Sequence, residues 1–350
     1  MNRITVKASR DYDVIIGTSL LDKIDTFVGS VQANASVAII SDDNVWPLYG
    51  GMVADRLSKS GYRVVRYVFH AGEASKNAQT YLDILNFLAE SHITRSDLLI
   101  ALGGGVVGDM TGFAAATYLR GIAYIQIPTT LLAMVESSVG GKTAIDLPAG
   151  KNLVGAFYQP ALVLCDTSAL DTLPRDVFAD GCAEVIKYAV LYDPELMSHL
   201  MECGPSFDRE FVITTCVRLK RNVVVEDEFD TGSRQKLNLG HTLGHGIEAH
   251  SNYTISHGKA VAIGMAMITK ASEAAGICRP GLYKALCSVL QQFGLPVRAD
   301  ITAEQLFSAS LKDKKRSGKV VNLILPVTTG TCVIQPTSLD QLEAFIKAGL

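Results

Sequence analysis

Over the first half of the chain, short apolar runs alternate with longer segments in which apolar residues return every third or fourth position. The runs Asp13–Ile16, Val37–Ser41, Arg63–Phe69, Leu98–Leu102, Ala123–Ile127 and Leu162–Cys165 read as strands. Between them lie amphipathic segments such as Asn77–Glu90, where Tyr81, Ile84, Leu85 and Leu88 repeat at helical spacing. Strand–helix alternation predicts a mostly parallel sheet with helices on its faces. From about Pro174 the texture changes. Long helical patterns dominate (Val177–Val190, Phe211–Val225, Asn238–Ala249, Gly258–Ala275, Leu282–Phe293), and only Val320–Leu325 and Cys332–Ile334 read as strands. The expected architecture is an α/β domain over residues 1–172 and a mainly α-helical domain over residues 173–350. In open α/β folds ligands bind at the carboxyl ends of the strands, so the chemistry is expected in the interdomain cleft.

Length and composition narrow the class. At 350 residues, with 48% hydrophobic and 19% charged positions, the chain can bury two cores without disulfides or a structural metal. Its net charge of −3 gives no global basic field to attract nucleic acid. Met1–Arg10 carries charge every few residues and has no apolar core of a signal peptide, and no run is long enough to span a membrane. The seven cysteines are scattered, odd in number and without a CxxC pair, which fits a reducing cytoplasm better than a disulfide scaffold. The seven histidines behave differently, since His241, His245, His250 and His257 fall within 17 residues. Scattered cysteines beside clustered histidines point to a metalloenzyme.

A second motif points to a dinucleotide. Leu98–Leu102 runs into Gly103-Gly104-Gly105-Val106-Val107-Gly108-Asp109 and then a helical stretch. Glycines at a strand-to-helix turn let backbone N–H groups approach a pyrophosphate at the helix amino terminus. The ordinary fingerprint also wants an acid about 20 residues further on, and Gly121–Pro128 contains none. The glycines alone fit either a tight turn or a dinucleotide site of unusual type. The loop holding Glu73 and Lys76, and the segment Pro128-Thr129-Thr130, also follow strands of the same sheet. Gly140-Gly141-Lys142-Thr143 resembles the end of a P-loop, but Glu136 stands where that motif needs glycine. Gly150-Lys151-Asn152 follows nine residues after Lys142. Lone lysines are usually solvated surface groups; two preceded by glycine beside strand ends look more like anion binders.

His241 and His245 stand at i and i+4, on one face of a helix. By spacing alone they are the expected ligands, with His257 third. A carboxylate usually completes such a set, and Glu184, one helical step from Lys187 among apolar neighbours, is the best placed by context. Buried charges are costly unless paired or metal-bound. His70, His92, His199 and His250 carry no such context.

These pieces, in order, resemble the 3-dehydroquinate synthase family of sugar phosphate cyclases. The resemblance runs from about Asp42 to Pro326 and rests on GGGVVGDMTGF (103–113), QIPTTLLAMVESSVGGKTAI (126–145), GKNLVGAFYQP (150–160), GCAEVIKY (181–188), GSRQKLNLGHTLGHGIE (232–248) and HGKAVAIGM (257–265). It implies a Rossmann-like N-terminal sheet that binds NAD near Asp42, Glu73, Lys76, Gly104, Gly105, Asp109, Thr129, Thr130, Lys142, Lys151 and Thr172. It also implies Zn2+ or Co2+ held by Glu184, His241 and His257. His245 then leaves the ligand set for proton transfer, against the choice made from spacing. Glu136, Lys142, Lys187, Arg234 and Asn238 are implied as catalytic positions, and Arg120, Asn152, Lys220 and either Lys314 or Lys315 as substrate-binding ones. Glu136 departs from the usual aspartate; the carboxylate is kept but reaches further.

The resemblance implies the conversion of 3-deoxy-D-arabino-heptulosonate 7-phosphate to 3-dehydroquinate and phosphate, a step toward chorismate and the aromatic amino acids. The enzyme would be a cytoplasmic homodimer acting on a small anionic sugar phosphate. The alternatives are a metal-dependent NAD polyol or alcohol dehydrogenase, or another sugar phosphate cyclase. Closure of the domains around bound substrate is a further expectation.

Overall fold

The six apolar runs of the first half become the parallel part of one sheet. Its strands are β1 (Asn2–Val6), β2 (Tyr12–Gly17), β3 (Ser36–Asp42), β4 (Arg63–Phe69), β5 (Leu98–Gly103), β6 (Ala123–Pro128) and, after a hairpin of β7 (Lys142–Leu147) and β8 (Gly150–Phe157), β9 (Leu162–Asp166). The order across the sheet is β1-β2-β9-β6-β5-β3-β4. All neighbours run parallel except β1, which pairs antiparallel with β2 at the edge. The carboxyl ends of the parallel strands therefore share one edge.

This is a computed structural model, and it describes residues 1–314 and 320–350, with the side chains of 311–314 left outside that description. Its helices, in chain order, are α1 (Ile24–Val31), α2 (Gly51–Lys59), α3 (Ala78–Glu90), α4 (Gly105–Thr117), α5 (Arg175–Tyr192), α6 (Pro194–Cys203), α7 (Arg209–Glu226), α8 (His241–His250), α9 (His257–Ala274), α10 (Leu282–Gln292), α11 (Ala303–Lys314) and α12 (Leu339–Gly349). The chain forms two compact units, residues 1–173 with 209–229, and residues 174–208 with 230–350.

In the first unit, alternate residues of each central strand feed two cores. Val37 and Ile39 of β3, with Leu98, Ile100 and Leu102 of β5, meet Ile24 and Val28 of α1 and Val53 and Leu57 of α2. Ala38, Ile40, Leu99 and Ala101 face the other way, against Ile84 and Leu88 of α3 and Val107, Met110 and Phe113 of α4. Burial on both faces is why these strands read as continuous apolar runs. One element departs from the expected division at 172/173. Helix α7 packs against β1, β2 and the turn Ala133–Ser137 of the first unit, burying Val212, Ile213, Cys216, Val217 and Lys220.

Among the described residues, the second unit is helical apart from the hairpin of β10 (Val320–Thr328) and β11 (Thr331–Ser338). Helix α9 is its axis, packed against α5, α8, α10 and α12. Surrounded in this way, it is buried along most of its length, which accounts for its nearly all-apolar sequence. None of the described helices is long and apolar enough to cross a membrane.

Candidate active site

The shared strand edge of the first unit carries the residues expected to bind a dinucleotide. Gly104 precedes α4 with extended backbone and offers no side-chain cap, so the first-turn N–H groups of α4 are available to an anion. The glycines serve close approach here rather than an unusual backbone angle: a Cβ on Gly104 would meet Thr130 at 3.2 Å, and one on Gly105 would meet Ser137 at 3.2 Å. The Thr129 hydroxyl is buried and has no hydrogen-bond partner among the described residues, a donor left over for a ligand. Thr130 instead accepts a bond from the Ala133 N–H, 3.2 Å. Asp42 caps its own turn by accepting from the Asn44 and Val45 N–H groups, and burial pushes its carboxyl above the ordinary range. The Thr172 hydroxyl lies 2.5 Å from that of Tyr49. An uncapped helix start, side-chain-free turns and a spare buried hydroxyl fit a dinucleotide.

Next to this edge the charges are paired. The Lys76 ammonium donates to Asp109 and to Asn152, both at 2.6 Å. Burial disfavours its charge, but Asp109 and Glu73 outweigh that and raise its pKa. Lys151 faces Glu73 at 3.7 Å. The two expected lysine loops are in fact the two ends of one hairpin: Lys142 opens β7 opposite Phe157, and Gly150 pairs with Leu147 at the other end. Their nine-residue spacing is set by hairpin pairing. On α7, Lys220 is buried and donates to both the carboxylate (2.8 Å) and the main-chain carbonyl of Glu136. Arg120 is exposed at the end of α4's following turn, in a left-handed conformation (φ 67°).

In the second unit Glu184, His241 and His257 converge. The Nε2 atoms of both histidines lie 3.5 Å from the same oxygen, Glu184 Oε1. A tetrahedral zinc ion with ligands at about 2.0–2.1 Å separates its donor atoms by roughly 3.4 Å, so the donor set and its spacing fit a divalent metal. The other ring nitrogens are engaged. His241 Nδ1 is 3.1 Å from the Leu239 carbonyl, and His257 Nδ1 is 3.4 Å from Glu248 Oε2. Lys187 Nζ lies 2.5 Å from the second Glu184 oxygen, with both side chains fully buried.

The geometry does not gather the pair chosen from spacing. Among the described residues no three-donor group contains both His241 and His245; one group is Glu184, His241 and His257, the other His245, Glu248 and His257. His241 and His245 share a helix face, but their rings stand edge-on, 5.6 Å apart. The helical reading also started too early. Ser233–Asn238 is a 3-10 turn, Gly240 turns left-handed (φ 79°), and α8 begins at His241. Arg234, buried, and Asn238, exposed, therefore sit on the turn leading to the ligand helix.

Close backbone contacts fix the three carriers. A Cβ on Gly258 would lie 2.0 Å from the Asp180 carbonyl, and one on Gly264 would lie 2.1 Å from the Gly240 carbonyl. The first contact seats α9 on α5, the second seats α9 on α8. The Asp180 carboxylate also accepts from Ser256 Oγ (2.5 Å) and from the Lys259 N–H (3.0 Å) at the start of α9. Asp180 and Glu248 carry no motif of their own in the sequence; the glycines where α9 meets α5 and α8, Gly258 and Gly264, were an available signal. Lys314 ends α11 with its side chain outside the description, and Lys315 lies outside the described residues.

The metal-free cluster is strongly polarised. Burial opposes ionisation of Glu184, but the Lys187 ammonium beside it holds its carboxyl well below the usual range. Burial, only partly offset by Glu184, pushes His241 down to about 3. Burial also works against a charge on His257, but hydrogen bonds to Glu184 and Glu248 prevail and push it up to about 10.

A parallel α/β sheet whose strand edge fits a dinucleotide, and a carboxylate–histidine group whose spacing fits a divalent ion, are features of the class of enzymes that use both. Sequence profiles of the 3-dehydroquinate synthase N-terminal and C-terminal domains match residues 66–180 and 181–316. The 3-dehydroquinate synthase of Clostridium acetobutylicum is 43% identical over 342 residues, 96% of each chain. Among solved structures, 2-deoxy-scyllo-inosose synthase complexed with carbaglucose-6-phosphate, NAD+ and Co2+ superposes with a TM-score of 0.89 at 25% identity, covering 100% of both chains. The 2-epi-5-epi-valiolone synthase of Streptomyces hygroscopicus, with NAD+ and Zn2+ bound, gives 0.89 at 25% identity and covers 99% of both. The chain belongs to the 3-dehydroquinate synthase family.

Proposed function

We propose that this enzyme converts 3-deoxy-D-arabino-heptulosonate 7-phosphate into 3-dehydroquinate and inorganic phosphate, with NAD and zinc or cobalt as resident cofactors. The observation that carries the reading is a three-donor metal group of the right spacing in a chain similar to 3-dehydroquinate synthases over nearly its whole length. The NAD+ and Co2+ or Zn2+ of the two structural neighbours support the cofactors.

When bound, NAD supplies a reversible two-electron oxidation at the substrate's C5 alcohol, and the metal supplies Lewis-acid stabilisation of charge developing on substrate oxygen. Glu184, His241 and His257 would hold the ion. The α4 start, Gly104, Gly105, Asp109, Thr129, Thr130, Lys142 and Lys151, with Asp42, Glu73, Lys76 and Thr172, would hold the dinucleotide. His245, exposed on α8, takes the proton of the C5 hydroxyl. Lys187 keeps Glu184 ionised and so preserves the metal's anionic ligand. Arg120, Lys142, Lys187, Lys220 and Arg234, with Asn152 and Asn238, bind the carboxylate and phosphate ends; Glu136 orients Lys220. Clamping both ends holds the substrate while phosphate leaves C7 as the C6 proton is lost, and keeps the opened ring oriented for carbon–carbon closure. Lys314 or Lys315 belongs to the same cation set. A cytoplasmic homodimer is part of the reading, supported by the family resemblance and by cysteines that form no disulfide among the described residues.

Variants test the roles. His257→Ala should lose metal, whereas His245→Ala should keep it and lose turnover. The reverse result would move His245 into the ligand set. Stoichiometric NADH formation without phosphate release would replace the reading with a metal-dependent dehydrogenase.

A further inference from the structure

We propose that Glu248 is a positioning residue for the metal: its buried carboxylate accepts the Nδ1–H of His257 and so fixes the tautomer and ring angle that aim Nε2 at the ion. The inference rests on the metal-site reading above and extends it to a residue outside the three-donor group. Its observation is the contact of His257 Nδ1 with Glu248 Oε2 at 3.4 Å, while Nε2 of the same ring faces Glu184 at 3.5 Å. A neutral imidazole carries one N–H, and a partner on one nitrogen decides that the other keeps its lone pair. The second histidine follows the same pattern, with Leu239 C=O on Nδ1 and Glu184 facing Nε2. Two rings held alike, on two helices, with both Nε2 atoms turned to one oxygen, is the arrangement expected of outer groups that orient metal ligands.

Glu248 is well placed to be rigid. It lies on α8, seven residues after His241, with its side chain 4% exposed. A buried carboxylate is costly unless an N–H or cation compensates it, and the His257 N–H supplies such a partner. The loop between α8 and α9 is short, and the Tyr253 N–H returns to the Glu248 carbonyl at 2.9 Å, tying the loop to the residue that orients the next ligand. The same residues could be read as a second ion site, since His245, Glu248 and His257 also bring donor atoms together. Simultaneous occupation would require His257 to lose both ring protons and bridge two ions. A proton shared with a carboxylate is the less demanding use of Nδ1.

The test is zinc affinity of apoprotein, measured by competition with a chromogenic chelator, together with metal stoichiometry and the visible spectrum of the Co2+ form. Wild type should bind one ion, and Glu184→Gln should abolish tight binding; failure here overturns the metal site itself. Given that result, Glu248→Gln should weaken zinc by about ten- to a hundredfold and alter the Co2+ spectrum, with NAD affinity unchanged. NAD affinity serves as the control for folding of the first unit, and the apoprotein melting temperature as the control for the second. Should Glu248→Gln fold poorly, Glu248→Asp keeps the charge, withdraws the acceptor by one carbon and should weaken zinc in the same direction. Zinc affinity within twofold of wild type in a folded variant would overturn the proposal. So would two ions in wild type with one lost from Glu248→Gln, which would make Glu248 a ligand.

Discussion

The carbonyl oxygen of Gly240 occupies the space in which a Cβ on Gly264 would stand, 2.1 Å away. Helices α8 and α9 can therefore approach as closely as His241 and His257 require only if residue 264 has no side chain. Gly264→Ala should push the helices apart, cost about 1–3 kcal/mol of stability and weaken metal binding. Denaturant unfolding of apoprotein, paired with zinc titration, reads both effects. A variant as stable as wild type would show that the crossing is looser than this contact implies.

A change at Thr129 can test cofactor binding apart from stability. Its hydroxyl is buried without a partner among the described residues, so Thr129→Val should leave the apoprotein equally stable or slightly more stable. The same change should weaken NAD by about three- to tenfold, the worth of one hydrogen bond of roughly 0.5–1.5 kcal/mol. Calorimetric NAD titration and thermal unfolding check the two halves. Unchanged NAD affinity would assign the hydroxyl to another ligand.

The metal-free protein should have a narrow pH optimum of stability. His257 is raised from 6.5 to about 10 in the folded state, so its stabilisation is complete below pH 6.5 and fades as pH climbs toward 10. His241 is lowered from 6.5 to about 3, so the unfolded chain gains a proton there first and stability falls as pH drops from 6.5 toward 3. Urea unfolding in a chelator should show a maximum near pH 6.5. His257→Asn should flatten the alkaline side, and a wild type with flat stability from neutral to alkaline pH would contradict the polarised cluster.

Much of the fold was readable because the central strands are buried on both faces. Leu98–Leu102 is apolar throughout, and no helix of that length competes with it. β1 was missed although Arg3, Ile4, Thr5 and Val6 alternate as an edge strand should, because the run is only five residues long with two buried positions. The β7–β8 hairpin was hidden because Gly150–Phe157 lacks a two-residue period. Single motifs did mark residues that the structure brings together, as with Glu184 and Lys187, whose charged atoms lie 2.5 Å apart. Spacing paired His241 with His245, whereas the structure gathers His241 with Glu184 and His257, and His245 with Glu248 and His257, because a shared helix face does not fix which ring nitrogen points where. Glu248 meets His257 across a loop, nine residues away, a distance that no helical or strand period marks.

The most direct measurement counts phosphate released per NAD. Enzyme loaded with zinc or cobalt is given the heptulosonate phosphate in large excess over NAD. Many phosphates should be released for each NAD, with no net accumulation of NADH. NADH formed in step with substrate loss, and no phosphate, would contradict it.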